Sequence, residues 1–323
     1  MYKKLHYNKL IVSLCFTLLS FTTVQAKQPY SQVVAAAKLI EVSDTIVLKK
    51  GEALQKITTE TEYNSEEEKS AILLSKLGCL PQKEVNQLQQ STALENCAAL
   101  KPLTIDYPTV PTSLTSLLNQ LLDENIVEGY NIKAQTMASS SESGDNVILY
   151  GHSSLVHAKQ LISLLTINNV DFTWQLIAKS SAFNIRENWQ DTKTEEKTSS
   201  IRTAQEYDLR FNFANQAEQN TFMPLINRFA KKDNEGQTGL IIDAWWQPFY
   251  RTFHPQDSFV AVKRISLQAD GFIASTLVLI PNLNSVLNKI NNTLSQTNMN
   301  VSLSSEDVWV NPAFYRYLHG DYK

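Results

Sequence analysis

Glycine is scarce, with nine in 323 residues, well below the ~7% of average usage. No G-x-G-x-x-G and no G-K-[ST] occurs. Such loops let a backbone close around phosphate, so their absence argues against a nucleotide-binding class. Cysteine is scarcer still: Cys15, Cys79 and Cys97. No C-x-x-C occurs and no histidine neighbours these positions, so a cysteine-based metal site finds no support. Positive charge is also in short supply. The formal net charge is −3, without the basic excess of a nucleic-acid binder. Beyond residue 26 no apolar run is long enough to cross the ~30 Å of bilayer hydrocarbon. Together these absences leave no cofactor, no metal, no nucleic acid and no transmembrane segment in the mature chain among the expectations.

What is present starts with an export signature. Lys3, Lys4 and Lys9 precede an uncharged apolar stretch from Leu10 to Val24, and Val24-Gln25-Ala26 offers small residues for a cut. Residues 1–26 are therefore read as a signal peptide cleaved near Ala26, which places the mature chain in a periplasm or outside the cell. Cys15 leaves with the signal. Cys79 and Cys97 remain, and two cysteines in an exported chain are expected to pair. The alternative, a metal site, lacks further ligands.

Residues 27–130 form a helical, disulfide-pinned N-terminal region. SQVVAAAKLIEV reads as one helix. NSEEEKSAILLSKLGC has a cap, acids in its first turn and Gly78 as a stop. Pro81 opens a further helical segment, and the proline-rich KPLTIDYPTVPTS reads as an extended connection. SLTSLLNQLLDENIVEGYNI reads as an amphipathic helix.

From residue 131 the pattern turns to strand, helix, strand, three times over. NVILY, SSLVHAKQLISLL and DFTWQLIAKSSAFNIR form the first unit, assigned to residues 131–190. A polar linker follows at 191–205. The second and third units fill 206–323, with FVAVKRISLQ as an extra strand between them. Pro224 predicts that the second unit's helix starts near Thr221. AWWQPFYR and VWVNPAFYR, at 244–251 and 308–316, end these two units alike and suggest duplication. The fold class this predicts is α+β: a helical region followed by repeated β-α-β units that form ferredoxin-like sheets with helices on one face.

Two constellations could carry function. Gly151-His152-Ser153 stands between a strand and a helix, as in a hydrolase elbow, but Leu155 replaces the final glycine of G-x-S-x-G. A serine hydrolase would use Ser153 with Asp257 or Asp270 and His319. The plainer reading is that Ser153 or Ser154 caps the helix. Asp243, in an apolar strand, needs a partner such as Arg186, Arg251 or Arg316 if buried. The aromatic clusters are the more specific feature. Trp245, Trp246, Tyr250, Arg251, Trp309, Tyr315 and Arg316 suit either the packing between units or a binding surface for a glycan or a peptide. The expectation is an exported, non-catalytic envelope protein that binds a protein partner or a cell-wall glycan, and serves as part of an assembly or secretion machine.

Overall fold

Among the described residues eight strands carry the architecture, and every pairing between them is antiparallel. The computed structural model describes residues 29–47, 65–80, 93–138, 144–184, 201–229 and 249–320. The strands are β1 (Gly129–Ala134), β2 (Val147–His152), β3 (Phe172–Asn184), β4 (Ile201–Phe213), β5 (Tyr250–Thr252), β6 (Val260–Ala269), β7 (Phe272–Val278) and β8 (Ser302–Val310). Their spatial order is β1-β3-β4-β2-β5-β8-β6-β7, and β7 returns to β1 to close a barrel. This overturns the ferredoxin-like expectation. An open sheet with helices on one face would leave two unpaired edges. Here β1 pairs with β3 on one side and β7 on the other, so closure removes the edges.

The helices are α1 (Tyr30–Ala36), α2 (Ile40–Asp44), α3 (Ser65–Lys76), α4 (Ala93–Asn96), α5 (Thr112–Asp123), α6 (Gln135–Ala138), α7 (Leu155–Ile167), α8 (Gln216–Phe229), α9 (Leu283–Ser295) and α10 (Pro312–Leu318). Two apolar clusters glue them to the outer wall. Leu161, Leu164 and Leu165 of α7 and Phe222 and Ile226 of α8 pack with Leu73 and Leu74 of α3 on Tyr207, Leu209 and Phe211 of β4. Elsewhere α5 sets Leu114, Leu118 and Leu121 against Ile132, Ile265 and Leu267, joined by Ile290 of α9. Full burial of each such side chain contributes about 1.5–3 kcal/mol.

Local departures from the sequence reading have local causes. SQVVAAAKLIEV is two helices because Lys38 adopts φ +61° between them. Pro29 gives α1 no side-chain cap, and α3 supplies one instead. The Glu67 carboxylate accepts from Tyr30 N at 2.9 Å and from Ser31 N at 3.2 Å. The end of SLTSLLNQLLDENIVEGYNI is not helix but the start of β1. β4 begins at Ile201, inside the stretch read as a linker. Helix α8 starts at Gln216, not Thr221. The Asn215 side chain accepts from Glu218 N at 3.0 Å at its first turn, and Pro224 lies inside the helix. The two similar unit endings adopt different backbones. Tyr250-Arg251 is strand, whereas Phe314-Tyr315-Arg316 is helix with Pro312 at its start. They are not copies of one structural module.

Cys79 and Cys97 are disulfide-bonded. By the chain-entropy model a loop of this length gains roughly 3 kcal/mol. Among the described residues no helix is long and apolar enough to cross a membrane. The signal segment, residues 81–92 of the helical stretch opened by Pro81, Arg186, Asp243, Trp245 and Trp246 lie outside the described residues.

Candidate functional site

An alternating strand sends every second side chain to the opposite face. On β4 the outward set is Tyr207, Leu209, Phe211 and Phe213, packed under the helices. The inward set therefore includes Asp208, which is 0% exposed. Its carboxylate is ion-paired to Lys133 of β1, to Lys179 of β3 at 3.0 Å and to Arg251 of β5. Strands β1 and β5 have three strands between them in the sheet order, so these side chains meet only across the lumen. Lys179 also lies 3.4 Å from Glu206. Burial by itself would raise the Asp208 carboxyl. The charges of Arg251, Lys133 and Lys179, with the Arg251 hydrogen bond, outweigh that and hold it well below its ordinary value. Beside it in the lumen lies an apolar cluster, with Val147, Leu149, Val262, Val308 and Val310 in contact.

Gly151 makes the cluster possible. A Cβ there would stand 2.9 Å from Lys179 Nζ, 3.3 Å from Asp208 Oδ1 and 3.8 Å from Arg251 Nη1. Any side chain at this point of β2 would push into the ion pairs.

Above the cluster the barrel mouth holds a cavity of about 510 Å³. One wall is polar, with Gly151, His152, Lys179, Ser181, Glu206 and Ser275. Ser181 Oγ donates to Glu206 at 2.7 Å. The other wall is aromatic. Phe249 stands 5.0 Å from Phe314 and 5.1 Å from Tyr317, ring centre to ring centre, and both partners belong to α10. A concave space with an apolar wall and a few fixed polar groups is the usual form of a ligand site.

His152 forms a relay with His157 at this mouth. Its Nδ1 accepts from Ser154 N at 2.8 Å, which leaves its proton on Nε2. That Nε2 lies 3.1 Å from Nδ1 of His157, which therefore accepts. Burial, then the charges of His157 and Lys179, lower the His152 pKa to about 4. Burial also lowers His157, partly offset by Glu41. The unfolded imidazole of His152 takes its proton near 6.5, the folded one only near 4. Across that window the unfolded state binds more protons, so stability falls as pH falls. The thermal midpoint, followed by circular dichroism, is expected to drop from pH 6.5 to about pH 4. His152→Gln should flatten that slope, and a parent slope no steeper than the variant's would refute the assignment.

Ser153 is exposed, at the strand-to-helix turn on the cavity wall. Ser154, not Ser153, is the N-cap residue of α7, and its side chain makes no capping bond. Both ring nitrogens of the adjacent His152 are engaged as above. Asp257 sits in the β5–β6 loop, and Asp270 in the β6–β7 hairpin turn with Gly271, both at positive φ. His319 Nε2 lies 2.8 Å from Tyr315 OH. Among the described residues no hydrogen bond joins Ser153 to any of these three.

The aromatic residues expected at a surface separate. Tyr250 is 0% exposed, stacked 5.0 Å from Tyr150 and edge-on 5.0 Å from Phe222. Trp309 packs against the outer cluster beneath the helices. Arg251 is buried in the lumen, on Asp208. Tyr315 and Arg316 are half-buried on α10. The groups of the cluster and cavity that sequence reasoning missed are Lys133, Lys179, Glu206 and Asp208. One signal was available: Val147–Tyr150 is apolar at every position and buried at every position, the mark of a strand covered on both faces. Among the described residues no cluster of three or more metal-ligating side chains occurs. No family model, curated protein or solved structure matches the chain.

Proposed function

We propose that this chain is an exported, non-catalytic binding protein of a bacterial envelope, and that the barrel mouth receives a segment of cell-wall glycan. The observation that carries this reading is the two-walled cavity of about 510 Å³. A sugar has an apolar C–H face and a rim of hydroxyl and amide groups. The rings of Phe249, Phe314 and Tyr317 suit the first, and the hydroxyls, amides and carboxylate of the opposite wall suit the second. The disulfide fits an oxidising compartment. The lysine-led apolar start of the sequence supports export to the periplasm or beyond, with cleavage near Ala26.

The test is co-sedimentation of the purified chain with insoluble peptidoglycan. The parent should pellet with it in a saturable manner. Tyr317→Ala should bind about fivefold more weakly, the loss of one stacked ring, with an unchanged far-ultraviolet spectrum. Failure of the parent to pellet, or equal binding by a folded Tyr317→Ala, would overturn the reading.

A further inference from the structure

We infer that acid releases what the barrel mouth holds, and that the trigger is a single proton on the His152–His157 pair. This rests on the mouth being the binding site, and it adds how that site is regulated.

The geometry of the pair carries it. A neutral imidazole has one acceptor nitrogen, and here both acceptors are filled from within the chain. His152 Nδ1 accepts from Ser154 N at 2.8 Å. His157 Nδ1 accepts from His152 Nε2 at 3.1 Å. The rings stand 4.3 Å apart, centre to centre. With no vacant basic nitrogen facing its neighbours, the pair takes up a proton only by breaking one of these two bonds.

The surrounding groups decide where the proton lands. Glu41 of α2 favours it on His157. Lys179 of β3, itself paired to Asp208 and Glu206 of β4, opposes it on His152. Tyr150 of β2 is stacked on His152, and Tyr207 of β4, its phenol raised by burial, stays neutral. The first proton therefore goes to Nδ1 of His157, where it meets the Nε2–H of His152 head on. The conflict is relieved when His152 gives its Nε2 proton to solvent and takes one at Nδ1. A charge-assisted bond then joins the two rings, and the bond given up is the weaker, neutral one to Ser154.

The turn so released is cavity wall. Gly151, His152 and Ser153 all line the cavity. Ser154 is the N-cap residue of α7, yet its side chain makes no capping bond. The His152 ring holds this turn at Ser154 N, and the Tyr207 hydroxyl holds it by donating to Ser154 O at 2.7 Å. After the switch, two N–H groups face each other where the first hold was. A ligand seated on this wall favours the form that keeps it, so by linkage its affinity falls as pH falls.

Two measurements on the full mature chain test this. The first follows the parent, isotope-labelled at histidine and serine nitrogen, by NMR from about pH 7 to about pH 4.5. His152 should carry its proton on Nε2 at the start and on Nδ1 at the end, and the Ser154 amide proton should shift upfield. The second is co-sedimentation with peptidoglycan at the same two pH values, with far-ultraviolet spectra showing a folded chain at each. The parent's affinity should fall at least about fivefold. His157→Gln keeps an acceptor for His152 but takes up no proton. It should bind as the parent does near neutrality and lose less than about twofold on acidification. A His152 tautomer and a Ser154 signal that stay fixed in the folded parent would overturn the switch, and this holds even if His157→Gln fails to fold. An equal fall in parent and variant would trace the effect to the polymer's own acid groups and overturn it too. A tautomer change with equal binding at both pH values would overturn the regulation and leave the glycan reading standing. No pelleting at either pH would overturn both.

Discussion

Asp208→Asn is expected to destabilise the fold by about 3–5 kcal/mol, read as a lowered midpoint of urea unfolding. Asparagine keeps the shape of the side chain, so little packing is lost. What changes is one charge. The three cations of the cluster then lose their shared carboxylate, while Glu206 stays 3.4 Å from Lys179. Each attraction lost is worth up to about 4 kcal/mol at 4 Å with an effective dielectric near 20. Desolvation of each remaining cation costs several kcal/mol, and the Asp208 charge that offset it is gone. A second substitution isolates the electrostatic cause. Lys133→Met in the Asp208→Asn background should recover part of the loss, although Lys133→Met alone destabilises. A loss below about 1 kcal/mol, the level of an exposed ion pair, would show that the carboxylate does not anchor the lumen.

The same carboxylate sets an acid limit. Its folded pKa is held below the ordinary 3.8. Its contribution is therefore complete above that value and is lost as pH falls below it. The two pH effects run in separate windows: His152 weakens the fold between 6.5 and about 4, and Asp208 acts only under more acid conditions.

Much of the chain could be read one segment at a time. The NVILY strand, α7, the DFTWQLIAK strand, β6, β7 and α9 follow the hydrophobic periods that marked them, because each period reports the face its own helix or strand buries. The disulfide was legible from two cysteines in an exported chain. Closure was not. Pairing partners are set by contacts between distant segments, and no local period encodes them. The consequence falls on the site. Asp208, Lys133 and Lys179 occupy the polar face of alternating strands, and a polar face reads as solvated when the sheet is taken to be open. In a barrel that face is the lumen, so residues read as surface become the buried cluster. Repeated sequence misled in the opposite sense. Phe-Tyr-Arg occurs twice, but Asn311-Pro312 starts a helix at the second copy while β2 and β8 hold the first in a sheet. Tertiary pairing decided between two backbones for one tripeptide.

Phe222→Ala is expected to cost about 3–5 kcal/mol, by deleting a ring from the outer cluster and leaving a cavity. Phe222 is 0% exposed and meets Phe211 at 5.5 Å, Phe213 at 5.7 Å and Tyr250 at 5.0 Å. It joins α8 to three outward-facing rings of β4 and β5. Ile226 is the helix's other fully buried apolar anchor, with Met223, Leu225 and Phe229 partly buried beside it. Pro224 removes one of its backbone donors, so its order depends on this packing more than on its own ladder. Phe222→Leu, which keeps most of the volume, should lose much less. The two faces of β4 then separate stability from binding. Phe222 lies outside the barrel wall, so the folded fraction of Phe222→Ala should bind cell-wall polymer as the parent does. Asp208→Asn alters the cluster beneath the cavity floor and should weaken both. Urea midpoints and co-sedimentation of the same preparations check this. A Phe222→Ala chain that is folded, nearly as stable as the parent and yet unable to bind would mean that the ligand is held on the helical side of the wall rather than in the mouth.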